Sequence, residues 1–128
     1  MAEFERRVLI VDDDELNRLL LEHMVRQLGL QPLSATDGET AVQACAAQRF
    51  ALIMMDRRMP GLDGYEALAR IREVEAAAGR SPVPAILLSG DLDRPGDASP
   101  VEVGFVGALL KPFRLDDLST LVARVLGD

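Results

Sequence analysis

Residues 50–66 read FALIMMDRRMPGLDGYE. The stretch opens with an apolar run, Ala51-Leu52-Ile53-Met54-Met55, and stops abruptly at Asp56. A short apolar run bounded by turn signals suits a strand buried on both faces of a parallel sheet. Two arginines, Met59-Pro60-Gly61 and Asp63-Gly64 follow, and this is loop chemistry. Open α/β sheets bind ligands outside the carboxyl ends of their strands. Asp56 therefore either starts a turn or ends a central strand at a binding crevice, and the rest of the chain decides between the two.

Working outward, 128 residues with 48% apolar content fit one domain, 1–128, with its own core. A net charge of −7 argues against nucleic acid or an anionic membrane surface as the main partner. The single cysteine, Cys45, excludes an internal disulfide and suggests a reducing compartment. Its helical, apolar neighbourhood predicts a buried structural thiol. No apolar run reaches membrane-spanning length and no signal-peptide core opens the chain, so a cytoplasmic protein without membrane insertion is expected. Of 14 basic residues only Lys111 is a lysine. A coding bias explains the arginines. A retained lysine suggests a compact ammonium in a tight site.

In chain order, Arg7 to Val11 predicts a first strand ending on Asp12-Asp13-Asp14. Carboxylates ~4 Å apart repel by roughly 4 kcal/mol at an effective dielectric of 20, so the group must be solvated or hold a cation. One of the three can cap the next helix. That helix is expected from about Asp14 to Leu28, stopping at Gly29, with Leu20, Leu21, Met24 and Leu28 on its core face. Leu16 and Leu19 fall outside the face, as ordinary exposed leucines or as a docking surface beside the acids. His23, the only histidine, reads as a surface residue. Pro32 places the strand Gln31 to Thr36 at a sheet edge.

Further elements are expected at about Gly38 to Gln48 (helix), from near Gly64 (helix), Ala85 to Leu88 (strand), Val106 to Leu110 (strand) and Leu115 to Leu126 (helix). The last helix should bury Leu118, Leu121, Val122 and Val125. Such alternation requires a doubly wound α/β parallel sheet with helices on both faces, joined by right-handed crossovers. The pattern fails only at 91–104, DLDRPGDASPVEVG, where proline and glycine interrupt any apolar period. The fourth helix should be short, displaced or absent, and this region the most mobile.

In a parallel sheet all strand C-termini share one edge. Asp12 and Asp13, Asp56, Ser89 and Lys111 end different strands there, although they are far apart in sequence. Oxygen ligands from Asp13 and Asp56 suit a hard cation such as Mg²⁺. That cation offsets both carboxylate repulsion and the charge of a phosphoryl group brought to Asp56. A hydroxyl and an ammonium can hold the remaining phosphoryl oxygens. Asp56 can attack phosphorus to give an acyl phosphate.

Four segments, VLIVDDDELNR, MMDRRMPGLDGYEA, PAILLSG and LLKPF, make the chain resemble the receiver domain of two-component response regulators along essentially its whole length. The resemblance implies a flavodoxin-like (βα)5 fold with strand order 2-1-3-4-5. It implies Asp56 as phosphoacceptor and Asp12, Asp13, Asp56 and the Arg58 carbonyl around Mg²⁺. It further implies Ser89 and Lys111 on the phosphoryl group and a cis bond before Pro112. The donor would be a phosphohistidine on a histidine kinase or histidine phosphotransfer protein, and a downstream protein target would receive the signal. Such a domain is not an enzyme in the ordinary sense, but promotes its own phosphorylation and dephosphorylation. Asn17-Arg18 and the long linker around Ser81-Pro82-Val83-Pro84 look most like receivers of hybrid sensor kinases, although a stand-alone regulator remains open.

Two positions depart from that pattern. Receivers usually carry an aromatic residue three before the lysine, where this chain has Ala108, and Phe105 is not an obvious substitute. The fourth helix, normally part of the output face, is broken. The expectation is intact phosphorylation chemistry with an unusual output surface, in which 91–104 orders when Ser89 is drawn inward. A flavin or phosphate module would need glycine or hydroxyl residues where three aspartates stand. A haloacid-dehalogenase-type phosphatase would need an acid at Arg58. The remaining alternative is a non-phosphorylated pseudo-receiver acting as a protein-interaction module. No effector segment follows Leu126, so no direct nucleic-acid contact is expected.

Overall fold

The structure is a computed structural model and describes residues 3–90 and 98–127. A single 3-10 turn, Glu3–Arg6, leads into β1 (Arg7–Val11). There follow α1 (Glu15–Gln27), β2 (Gln31–Ala35), α2 (Gly38–Ala47), β3 (Leu52–Asp56), α3 (Gly64–Ala77), β4 (Ala85–Ser89), α4 (Pro100–Val103), β5 (Gly107–Leu110) and α5 (Leu115–Leu126). The strands form one parallel sheet in the order β2-β1-β3-β4-β5. Pro32 lies in the edge strand, opposite Val8, where its missing N–H costs no central ladder bond.

Strand alternation divides the core into two layers. Leu9, Val11, Ile53, Met55, Ala85 and Leu87 pack with α2 and α3 residues on one face. Val8, Ile10, Leu52, Met54, Ile86 and Leu88 pack with α1 and α5 on the other. All five residues of β3 are buried, so its side chains supply both layers. Burying one such Leu, Ile or Met side chain contributes about 1.5–3 kcal/mol. Four of them, Leu52 to Met55, precede Asp56 and offset the cost of carrying a carboxylate into the sheet edge.

The helix starts follow their caps. Asp14, Asp37 and Asp63 each accept a backbone N–H at the start of a helix. Asp63 and Glu66 complete a reciprocal capping box on α3. Asp14 is thus the one strand-end acid that serves as a cap.

The broken pattern before β5 does yield a short fourth helix, one turn with Pro100 in its first turn and Ser99 as cap. The expected mobility of 91–104 and its ordering switch fall partly on residues 91–97, which lie outside the described residues. One expectation for α1 is corrected. Leu20 is 41% exposed, and Val25 takes the place on the core face beside Leu21 and Met24. Leu121 and Val125 of α5 are only partly buried, while Leu118 and Val122 are buried. Among the described residues no helix is long and apolar enough to cross a membrane.

Candidate functional site

In the order β2-β1-β3-β4-β5, β1 and β3 are neighbours whose chain connections leave toward opposite edges. A crevice opens at such a point, outside the carboxyl ends of the strands. Asp12 and Asp13 follow β1 and Asp56 ends β3, so sheet topology alone brings them together. One carboxylate oxygen from each of Asp12, Asp13 and Asp56 lies within 4.8 Å of the others. Asp12 is fully buried, Asp56 is buried and Asp13 is exposed.

Asp12 is fixed from two directions. Its Oδ1 accepts the Asp14 N–H at 2.9 Å, and its carbonyl accepts from the Arg18 guanidinium at 2.9 Å. Its Oδ2 is buried with no hydrogen-bond partner among the described residues. Buried polar atoms are paired in the great majority of cases, so an orphaned carboxylate oxygen marks a place made for a further group. Three clustered carboxylates, one with an open oxygen, fit a hard divalent cation.

Lys111 follows β5. Its N–H donates to the Ser89 carbonyl at 2.9 Å, which ties the ends of β4 and β5 together. Its Nζ lies 3.6 Å from Asp56 Oδ1, and the peptide between Lys111 and Pro112 is cis, as expected. Ser89 is buried at the end of β4, one strand over from Asp56. Burial and the neighbouring Asp12 charge push the Asp56 carboxyl up to about 6, against the opposing pull of Lys111. Above that pH Asp56 is an ionised carboxylate of raised basicity, which favours nucleophilic attack.

The expected residues Asp12, Asp13, Asp56 and Lys111 therefore converge, with Ser89 one strand over from Asp56; Arg58, expected to contribute its carbonyl, follows two residues after Asp56 and is exposed as a residue. Asp91, which flanks Ser89 in sequence, lies outside the described residues. Sequence reading missed two supports. Gly64 lies so close to the β3 end that a Cβ there would be 2.3 Å from the Asp56 carbonyl oxygen. Its presence in Asp63-Gly64 was visible as a turn signal but not as this clearance. The second is the Arg57 guanidinium, whose carbon lies 4.1 Å from the Tyr65 ring centroid. Cys45 is buried as expected, and burial pushes its thiol up to about 12, which removes it from nucleophilic chemistry.

Comparison with known proteins agrees with this geometry. A family model described as the response regulator receiver domain matches residues 8–123. The sensor protein GacS of Pseudomonas syringae pv. syringae is 32% identical over 121 residues, covering 94% of this chain and 13% of that protein. The chain thus spans a small fraction of the curated relatives it matches. The receiver domain of sensor histidine kinase PA1611 from Pseudomonas aeruginosa PAO1 superposes with a TM-score of 0.82 at 31% identity, covering 96% of this chain and 98% of that one. Its crystal structure has a magnesium ion coordinated in the active-site cleft. The receiver domain of Ssk1, in complex with the histidine phosphotransfer protein Ypd1 of Saccharomyces cerevisiae, gives a TM-score of 0.81 at 28% identity, covering 91% of this chain and 86% of that one.

Proposed function

From the premise that the chain belongs to the response regulator receiver domain family, we propose that Asp56 accepts a phosphoryl group from a phosphohistidine and that the domain relays this event to a protein target. The observation that carries the reading is the three-carboxylate cluster at the β1 and β3 ends, with the Asp12 Oδ2 lacking a hydrogen-bond partner among the described residues and Lys111 Nζ 3.6 Å from Asp56. A purely structural carboxylate is paired on both oxygens, and this cluster is not. Asp12, Asp13, Asp56 and the Arg58 carbonyl would hold Mg²⁺. Bound there, the ion neutralises the acids and the incoming phosphoryl charge.

An Asp56 carboxylate oxygen attacks phosphorus as the P–N bond of the donor breaks, and the electron pair of that bond leaves with the imidazole. Lys111 exchanges its pairing with Asp56 for a phosphoryl oxygen. The Ser89 hydroxyl donates to a second one. Attack of water on the acyl phosphate returns the carboxylate and releases phosphate, and this resets the domain. Leu16, Leu19 and Leu20 are exposed on α1, the helix that begins at Glu15 just after the β1-end acids. They supply an apolar surface on which a histidine kinase or phosphotransfer protein can bring its histidine to Asp56.

Intact mass after incubation with Mg²⁺ and either acetyl phosphate or a phosphorylated histidine phosphotransfer protein tests the reading. One added phosphoryl group in the wild type, absent in Asp56→Asn, is expected. No gain from either donor would overturn it in favour of a non-phosphorylated interaction module.

A further inference from the structure

Four consecutive acids, Asp12 to Glu15, join β1 to α1, and Arg18 is the only lysine or arginine between Arg7 and Arg26. At helical spacing an arginine there would pair with Asp14 or Glu15 on the surface of α1, a contact of little weight. Instead the Arg18 Nη1 reaches back six residues and donates to the Asp12 carbonyl at 2.9 Å. The Arg18 N–H meanwhile donates to the Asp14 carbonyl at 3.0 Å. Arg18 is half-buried and Asp12 is fully buried.

This contact completes the fixing of Asp12. Its N–H donates to the Ala35 carbonyl of β2 at 3.2 Å, and its Oδ1 accepts the Asp14 N–H at 2.9 Å. Only Oδ2 is left without a hydrogen-bond partner among the described residues. Of the three contacts, the one to the carbonyl is the only one made by a side chain. That carbonyl belongs to the planar peptide unit linking Asp12 to Asp13. Both of these residues contribute a carboxylate to the acidic cluster. Holding the plane therefore sets the direction in which the exposed Asp13 leaves the strand end.

We propose that Arg18 is a positioning residue for the cation site: by holding the peptide between Asp12 and Asp13 it presets both carboxylates for Mg²⁺. The inference deepens the phosphoacceptor reading and rests on the acidic cluster being its Mg²⁺ site. Two effects oppose each other. The charge of Arg18 works against a cation, but at a half-buried side chain solvent and salt screen it. Geometry works for the cation. Without Arg18 the repelling acids can turn apart, and bringing them back is a cost that falls on ion binding. Contacts that orient metal ligands are typically worth 10–100-fold in metal affinity, so geometry outweighs the screened charge. The entropy lost in fixing a long arginine side chain offsets much of what one charge-assisted bond contributes to folding. The effect on stability is accordingly small.

The test is calorimetric titration of Mg²⁺ into wild type, Arg18→Met and Arg18→Lys. Arg18→Met, which keeps an apolar stem and removes the donor, should bind Mg²⁺ about tenfold more weakly, the low end for such contacts. The half-saturating Mg²⁺ concentration for labelling by acetyl phosphate should rise by the same factor. Arg18→Lys should lie closer to wild type than to Arg18→Met, because one donor atom makes the contact and no bidentate fork is used. Equal or tighter binding by Arg18→Met would overturn the positioning role, and so would a lysine variant as weak as the methionine one. Metal-free thermal unfolding of the same samples separates a structural role: a lowered midpoint with unchanged Mg²⁺ affinity also counts against the proposal. Absence of Mg²⁺ binding in wild type would remove the cation site and the inference with it. Absence of labelling from acetyl phosphate and from a phosphorylated histidine donor, with Mg²⁺ bound, would overturn the phosphoacceptor reading, and the ratio of Mg²⁺ affinities would still decide on Arg18.

Discussion

Among the described residues two buried carboxylate sites lie beside the two ends of α3, and they are treated in opposite ways. Near its C-terminus, Glu75 is 4% exposed. One of its oxygens pairs with Arg72 at 2.8 Å and the other accepts the Val83 N–H at 2.9 Å. Arg72 also donates to the Val83 carbonyl, so acid and base together clamp both backbone polar groups of one residue in the α3–β4 linker. Arg80 closes the same corner by donating to the Cys45 carbonyl. At the other end, Asp12 and Asp56 are also buried, yet they face like charge, and an Asp12 oxygen has no hydrogen-bond partner among the described residues. A carboxylate kept for structure is satisfied on the spot. A carboxylate kept for chemistry is left with capacity that a cation or a phosphoryl group can use.

The contrast can be broken or sharpened by mutation. The largest effect is expected for Gly64→Ala, whose Cβ would lie 2.3 Å from the Asp56 carbonyl oxygen and must displace backbone. Urea unfolding should show a loss of about 3 kcal/mol, at the upper end for overpacking, together with lost phosphorylation. A near-neutral result would mean that the β3 end yields readily, and that the site is not held rigidly.

Glu75→Ala comes next. Breaking a buried pair costs about 3–5 kcal/mol, and the expected loss lies at or just below the bottom of that range because Arg72 can rehydrate. Phosphorylation of the folded fraction should be unchanged. If it fell in proportion to stability, the two carboxylate sites would not be independent.

Asp56→Asn should act in the opposite direction and stabilise the metal-free fold by on the order of 1–2 kcal/mol at pH 7–8. The sign follows from the raised carboxyl. Folded Asp56 titrates near 6 against 3.8 for the free group, so the folded state binds the extra proton between those values. The wild-type penalty is therefore complete above pH 6, shrinks as pH falls through that window, and is gone below it. Thermal unfolding of both proteins across pH 4–8 without divalent ions would check this, and a destabilised Asn variant at pH 8 would contradict it. The smallest effect on stability is expected from Leu16→Ser with Leu19→Ser, within about 0.5 kcal/mol as for ordinary surface positions. Phosphotransfer from a protein donor should slow in that variant, while acetyl phosphate labelling stays unchanged.

The site was legible in the sequence because strand ends announce themselves. Val8 to Val11 and Leu52 to Met55 are unbroken apolar runs that stop on acids, and a parallel sheet puts every such stop on one edge. Lys111 stood out by its rarity among arginines. The Glu75 clamp was not legible. In the helical stretch Arg72-Glu73-Val74-Glu75 one glutamate is exposed and the other buried, and the choice depends on where the 81–84 linker passes. The exchange of Leu20 for Val25 has a similar cause. The apolar residues of α1 span more of the helix than one face, and the position of the edge strand β2 decides which side is covered. The Arg57–Tyr65 contact joins a loop to a helix across a turn, and no local periodicity encodes it.

The most direct test of the central claim locates the phosphoryl group. Borohydride reduction of the phosphorylated protein converts an acyl-phosphate aspartate into homoserine, and tryptic cleavage after Arg49 and Arg57 releases a peptide whose only acid is Asp56. The account predicts homoserine at position 56 and nowhere else. Homoserine at position 12 or 13, or a phosphoryl group that resists reduction, would contradict it.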